Sequence, residues 1–314
     1  MNDPSPRPLP ATIIGVASGL GARDPRCRDG PSALLQERLL ARLGERGVHL
    51  SWRSTLEPHR LPGQSRVRAI AEICNRLARE VGATLRAGQF PVVVGGDHSC
   101  AIGTWSGAAQ ALAPRGPLGL VWIDAHMDSH TPATSHSGMP HGMPLAALLG
   151  HGASRELAIE VAEILHEGQI APRHVCLVGV RSHEPEEEAL LTRLGVRIVH
   201  MEELQARGLG PVMREAVDIA RADTAGYGIT LDLDAMDPLD APGVGTPVRG
   251  GMAAPALVDA LARCCGADPA LIAFEVVEYN PHRDVDRRTA RVVEDLIAAV
   301  VGPRPATPAA VSPD

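Results

Sequence analysis

The apolar residues of this chain fall into short continuous runs rather than alternating ones, as Val92–Val94 and Leu118–Ile123 show. A strand that is apolar on both faces belongs to a sheet covered on both sides. Eight segments read as strands, several of them continuous in this way: Thr12–Val16, Val48–Trp52, Pro91–Val94, Leu118–Ile123, Val175–Val180, Val196–Val199, Gly228–Leu233 and Leu271–Val277. Amphipathic stretches lie between them, at Ser32–Leu43, Ser65–Arg86, Cys100–Ala113, Pro185–Leu194, Pro211–Ala222, Ala254–Cys265 and Asp284–Val301. Strand and helix in alternation predict an α/β fold, a parallel sheet with right-handed crossovers and helices on its faces. No linker divides the 314 residues, so one domain is expected over residues 11–302, with flexible ends at 1–10 and 303–314. Aromatic residues are only 2% of the chain, so its core must be built from Ala, Val, Leu and Ile.

Several function classes are disfavoured at once. A net charge of -7 is not the footprint of a nucleic-acid binder. The chain contains no Lys, which removes the P-loop signature and any Schiff-base mechanism. No apolar run reaches the roughly 18 residues of a membrane span. The first ten residues are Pro-rich without an apolar signal core. The six cysteines form no C-x-x-C pair. A reducing, cytoplasmic setting is the expectation.

Three clusters carry the chemistry, each at the end of a predicted strand. They are Gly95-Gly96-Asp97-His98-Ser99, Asp124-Ala125-His126-Met127-Asp128 and Asp232-Leu233-Asp234. Ligands of open parallel sheets bind beyond the carboxyl ends of the strands, so the three are candidates to meet on one edge. In extended chain, residues two apart project to the same side. Asp124, His126 and Asp128 then form one set, and Asp232 and Asp234 another. With His98 the total is four carboxylates and two imidazoles. Carboxylates packed this closely repel one another unless cations neutralise them, and two divalent ions would do so. A lone D-x-D is often a solvated turn; D-x-H-x-D after an apolar strand is far more specific. A set rich in oxygen ligands, without thiolate and with two imidazoles, favours Mn²⁺, with Co, Ni, Fe or Zn as possible substitutes.

These motifs resemble those of the ureohydrolases, the arginase/agmatinase family. The match takes in GGDHS, DAHMD, DLDAMDP, PGVGTP at Pro242–Pro247 and Glu278-Tyr279-Asn280-Pro281, and it extends over nearly the whole chain. The resemblance implies a three-layer sandwich around an eight-stranded parallel sheet. It implies two Mn²⁺ per subunit, one held by His98, Asp124, Asp128 and Asp232, the other by Asp124, His126, Asp232 and Asp234. It also implies hydrolysis of a guanidinium group by a hydroxide bridging the two ions, generated near neutral pH because metal binding lowers the pKa of water. In that scheme Asp128 carries the proton to the leaving nitrogen, His141 shuttles protons at the mouth, and Glu278 pairs with the guanidinium.

The substrate's other end is expected to meet His130, Ser137, Glu184 and Thr246. His130 stands where the family usually has asparagine, and Glu184 where arginases have aspartate. The Thr-Pro, Ser-Gly and His-Gly layout of the loop after Asp128 favours L-arginine, giving L-ornithine and urea. Agmatine, guanidinobutyrate or another guanidino acid is the alternative. Outside the family, a binuclear phosphoesterase or deacetylase on a related sheet, or a non-catalytic binding protein, would also fit an α/β fold. An anionic Glu278 at the mouth opposes a phosphate substrate, and six intact ligand positions oppose loss of catalysis. By the same resemblance the chain is expected to form a homo-trimer or homo-hexamer, with no nucleic-acid or membrane partner.

Overall fold

The computed structural model describes residues 10–59, 63–151, 170–266 and 268–302. The predicted flexible ends lie, but for Pro10, outside the described residues. Eight strands form one sheet in the order β2-β1-β3-β8-β7-β4-β5-β6. They are β1 (Ala11–Val16), β2 (Leu50–Leu56), β3 (Phe90–Gly95), β4 (Leu118–Ile123), β5 (Val175–Val180), β6 (Arg197–His200), β7 (Gly226–Asp232) and β8 (Leu271–Val277). Every neighbouring pair is parallel, as the continuous apolar runs require. The fold class expected from the sequence is therefore the one observed.

The helices are α1 (Gly30–Gln36), α2 (Leu39–Glu45), α3 (Arg66–Arg86), α4 (Ala101–Leu112), α5 (Pro144–Leu148), α6 (Pro185–Leu194), α7 (Met201–Arg207), α8 (Leu209–Arg221), α9 (Ala254–Cys264) and α10 (Arg288–Val301). Local chemistry sets their ends. The Ser65 hydroxyl caps α3 by accepting the Arg68 N–H at 3.2 Å. Helix α6 starts with Pro185 at its first position inside a capping box formed by Glu184 and Glu187, and stops at Gly195 in the left-handed region.

Several boundaries differ from the sequence reading. The stretch expected as one helix over Ser32–Leu43 is two, because Arg38 adopts φ 65° and interrupts the hydrogen-bond ladder. The strand expected at Val48–Trp52 runs from Leu50 to Leu56, half-buried at the sheet edge, where polar residues such as Ser51 and Arg53 are tolerated. The helix expected from Asp284 begins at Arg288, since Asp284 turns its carboxylate onto the Thr289 and Ala290 N–H groups. Helices α5 and α7 were not anticipated; both are short, and α5 is buried throughout.

Two apolar layers cover the sheet. One gathers Ile13, Val92, Ile229, Phe274 and Leu296; the other gathers Ile14, Trp105, Leu120, Trp122 and Leu177. Gly228 makes the second possible, because a Cβ there would lie 1.9 Å from the Trp105 ring. Among the described residues, no helix is long and apolar enough to cross a membrane.

Candidate metal centre and its mouth

The four central strands of the sheet, β3, β8, β7 and β4, are adjacent, and each delivers one part of the site at its carboxyl end. Val94 pairs with Val276, Asp232 with Val277, and Leu231 with Ile123. That register brings His98, Glu278, the Asp232/Asp234 pair and the Asp124–Asp128 segment to one edge. Beyond the strands, side chains hold the tips open. The Asp97 carboxylate accepts the N–H groups of Gly21 and Ser99 at 3.0 and 3.1 Å and so ties the loop after β1 to the tip of β3. Asp232 Oδ1 accepts the Asp234 N–H at 2.9 Å, fixing the turn that re-aims Asp234.

His98, Asp124, Asp128 and Asp232 form one buried group. The His98 ring stacks on Trp122 with centroids 4.4 Å apart, and its Nδ1 faces Asp128 at 2.9 Å and Asp124 and Asp232 at 3.3 Å each. Asp124, His126 and Asp234 form a second group, with His126 Nδ1 at 3.2 Å from Asp234 and 3.5 Å from Asp124. Asp124 belongs to both. Asp232 stands with the first group only, whereas the sequence reading gave it to both ions.

The electrostatics make the case for cations. Burial pushes Asp128 up to about 6, helped by neighbouring Asp124. Burial also lifts Asp232 well above the carboxylate range, reinforced by Asp234 and Asp124. Burial works to raise Asp124 too, but the neighbouring imidazoles of His126 and His98 outweigh it and hold that carboxyl below its ordinary range. Burial opposes charge on His98, yet the three carboxylates around it drive its basicity well upward. His98 Nδ1 has no hydrogen-bond partner despite complete burial. Without a cation these groups are driven to take up protons, and a divalent ion is the competing occupant. Four carboxylate charges match two divalent cations, and an imidazole nitrogen flanked by carboxylate oxygens is a ligand set for Mn-type ions. The residues present fit a binuclear centre.

Glu278 lies directly over this group. Its backbone has φ 67°, and Asp128 has φ 47°, so two site residues occupy the left-handed region that non-glycine residues seldom adopt. The Glu278 N–H donates to Gly96 O at 2.7 Å. Its Oε1 accepts the His98 N–H at 3.1 Å and pairs with His141 Nδ1 at 2.9 Å. Its Oε2, buried with the rest of the residue, has no partner. Burial disfavours charge on His141, but Glu278 more than compensates and raises its pKa to about 9.

The mouth is a pocket of about 380 Å³. All the predicted substrate contacts line it: His130, Ser137, Glu184, Thr246 and Glu278, with His126, Asp128, Asp232 and His141 beside them. His130 Nε2 lies 3.1 Å from Glu184 Oε2, so the two departures from the family pattern face each other. Ser137 is exposed and its hydroxyl accepts the Met139 N–H. Thr246 donates to Asp234 Oδ2 at 2.8 Å. A larger cleft of about 830 Å³, lined by Arg46, Val258, Arg291 and Asp295, holds none of the predicted residues.

Sequence reasoning missed two supports. Glu187, buried at the third position of α6, accepts the Ser129 N–H at 3.1 Å and stands behind His130. Its place three residues after the cap was the available signal. Arg181 sends its guanidinium to the carbonyls of Asp234 at 2.6 Å, Val248 at 2.8 Å and Ala235 at 3.2 Å, clamping the β7 tip to the next loop. A lone arginine after a strand carries no such message in sequence.

With this geometry in view, the chain was compared with known proteins. The model of the Arginase family matches residues 9–302. An arginase from Brevibacillus brevis is 37% identical over 297 residues, covering 93% of this chain and 97% of the relative. The native structure of arginase from Bacillus caldovelox superposes with a TM-score of 0.82 at 36% identity, over 94% of this chain and 99% of that one. Entamoeba histolytica arginase, solved in complex with L-ornithine, superposes at 0.83 with 26% identity, over 94% and 99%.

Proposed function

The chain belongs to the arginase family, and from that membership we propose that it hydrolyses the guanidinium group of L-arginine to L-ornithine and urea. The observation that carries this reading is Glu278. A buried carboxylate with one oxygen unpartnered, on the wall of the pocket that also holds Asp128 and Asp232, calls for a planar cation with paired N–H donors. A phosphoester would meet repulsion there.

The centre takes two Mn²⁺ in this reading, one on His98, Asp124, Asp128 and Asp232, the other on Asp124, His126 and Asp234 with help from Asp232. When bound, the ions supply a water acidic enough to attack near neutral pH. The chain's own residues do the rest. Glu278 orients the guanidinium so that its carbon faces the carboxylates. Asp128 takes the proton of the attacking water and passes it to the leaving nitrogen. His141, paired with Glu278 and protonated at neutral pH, exchanges protons between the site and the mouth. His130, Ser137 and Glu184 meet the α-carboxylate and α-amino group, and Thr246 steadies Asp234 at the pocket wall. The enzyme works in the cytoplasm as a homo-trimer or homo-hexamer.

One observation favours the alternative of another guanidino acid. His130 Nε2 is already engaged by Glu184, so a substrate with a differently spaced carboxylate would compete for it. Urea release from L-arginine, agmatine, 4-guanidinobutyrate and a longer guanidino acid, measured on manganese-loaded protein, decides between them. Turnover of L-arginine well above the others supports the proposal. Turnover of a guanidino acid alone moves the substrate, and no urea from any of them removes the function.

A further inference from the structure

An acid sits inside a central strand of the sheet. Glu275 of β8 is fully enclosed between Phe274 and Val276, on the strand next to β3 and β7. A bare carboxylate there would be strongly disfavoured, so its partners must be strong and numerous. Its Oε1 is taken by the hydroxyl of Thr104 and, at 3.6 Å, by the Cys100 thiol. Its Oε2 accepts the Trp105 indole N–H at 3.0 Å and contacts the Thr230 hydroxyl at 2.7 Å. Thr230 in turn lies 3.1 Å from His98 Nε2. All of these side chains are buried.

The direction of each bond follows from what each group can do. The indole N–H can only donate, so Oε2 is an acceptor. The Thr230 hydroxyl therefore gives its single proton to Oε2. Its oxygen is left with lone pairs, and the neighbour it meets is His98 Nε2, which must carry the hydrogen. The imidazole lone pair is then confined to Nδ1, the atom that faces Asp124, Asp128 and Asp232 and lacks a hydrogen-bond partner. We propose that Glu275 and Thr230 are positioning residues that fix His98 with its Nε2 protonated and its Nδ1 presented to the first cation. Carboxylate and histidine are often coupled directly behind a metal; in this chain a threonine stands between them, and the acid is two strands from β4, where three of the six candidate ligands originate. Among the described residues no hydrogen bond joins Glu275 or Thr230 to His126 or Asp234, so the effect falls mainly on one ion of the two.

This inference rests on the binuclear reading, and the test separates the two. Metal-stripped full-length protein, Thr230→Val, Thr230→Ser and Glu275→Gln are titrated with Mn²⁺ in competition with a chelator, and the melting temperature of each metal-free protein is recorded. Valine keeps the shape and removes the acceptor. One of the two dissociation constants is expected to weaken about 10–100-fold in Thr230→Val while the other is retained. Thr230→Ser restores the hydroxyl and the affinity. Glu275→Gln keeps an oxygen toward Trp105 and Thr230 with its amide toward Thr104, so its loss is smaller than that of the valine. Wild-type constants in Thr230→Val, or an equal loss in Thr230→Ser or Glu275→Gln, overturn the proposal. A second readout does not need the ion: nitrogen-15 spectra of the metal-free wild type should show a slowly exchanging proton on His98 Nε2, kept in Thr230→Ser and exchanging faster in Thr230→Val, a contrast that holds whether or not Nδ1 also carries a proton. Its absence overturns the relay. Wild-type protein that takes up no manganese but shows that proton removes the metal centre and leaves the relay standing.

Discussion

The carboxylates that follow β4 and β7 and those that face β6 are both crowded, but only one of the two crowds supplies its own counter-charge. Along the edge of the sheet, Arg197 of β6 bonds to Glu215 at 2.8 Å and to Glu203 at 3.0 Å, while Arg207 bonds to Glu203 at 2.6 Å and to Glu215. Two guanidinium groups balance two carboxylates at roughly one-third exposure. At the strand tips, Asp124, Asp128, Asp232 and Asp234 are buried, and their nearest basic groups are two imidazoles, which supply counter-charge only by taking up protons. A cluster that is neutral by itself needs no visitor and reads as structure. A buried cluster left with uncompensated charge calls for a ligand, and the ligand tells the function. Replacements in the two places should therefore differ in kind as well as in size.

The largest effect is expected at the strand tips. Asp234→Asn or His126→Ala removes a ligand that no neighbour replaces, and urea production should fall by more than the roughly 10–100-fold typical of outer-shell partners. The same carboxylates should repel once the ions are chelated away. With free ion a thousandfold above its dissociation constant, loading stabilises a site that binds only the folded state by about 4 kcal/mol. Calorimetry with and without manganese checks the second point. A melting temperature indifferent to metal would mean that protons or side chains neutralise this cluster after all, and the contrast with the β6 network would vanish.

Next in size is Glu278→Gln. The amide keeps an acceptor for His98 N–H and loses the charge facing the substrate. Breaking a buried, hydrogen-bonded charge pair costs about 2–5 kcal/mol, so kcat/KM should drop by roughly 30-fold or more. An unchanged kcat/KM would place the guanidinium elsewhere. His141→Asn follows, with kcat expected to fall by about 10² as for a lost general acid–base group. The wild-type profile carries a further signature. With its pKa raised to about 9, His141 holds its proton at neutral pH and loses it as pH rises through that value. Activity that depends on this proton declines on the alkaline limb, and the decline should be missing from His141→Asn. For stability the sign is the same: the His141–Glu278 pair contributes fully below the unfolded value near 6.5, and the contribution is lost as pH rises through about 9.

How much of this was legible from the chain follows from the kind of signal. The sheet was legible because continuous apolar runs such as Leu118–Ile123 leave few other options, and the clustering of the Asp and His side chains was legible because DAHMD and DLD sit at fixed offsets from those runs. Glu278 could be found through its neighbours in Glu278-Tyr279-Asn280-Pro281. What stayed hidden depends on contacts between distant elements. Glu275 looks like an intruder in Leu271–Val277 until Trp105 and Thr230, 170 and 45 residues away, are seen to donate to it. Arg181 is silent for the same reason, since its partners are backbone carbonyls. The break at Arg38 depends on backbone conformation that side-chain periodicity does not encode, and the edge strand β2 is too polar for an apolar-run criterion to bound it.

The smallest effect is expected at β6, and it sharpens the contrast by being small. Hydrogen bonds from Arg197 and Arg207 hold Glu203 down to about 2. A depressed acid contributes stability above its unfolded value near 4.5 and loses it as pH falls from there through about 2. The side chain is about one-third exposed, so solvent screens most of the shift, and the contribution belongs with surface pairs at about 1 kcal/mol or less. Glu203→Gln should lower stability by that amount at pH 7, by less below pH 4, and by less again at high salt, with urea production unchanged throughout. Chemical denaturation at the three conditions measures it. A loss of several kcal/mol, or any loss of turnover, would mean that this self-balanced network braces the sheet behind β4 and β5, and the division between structural and functional charge in this fold would have to be redrawn.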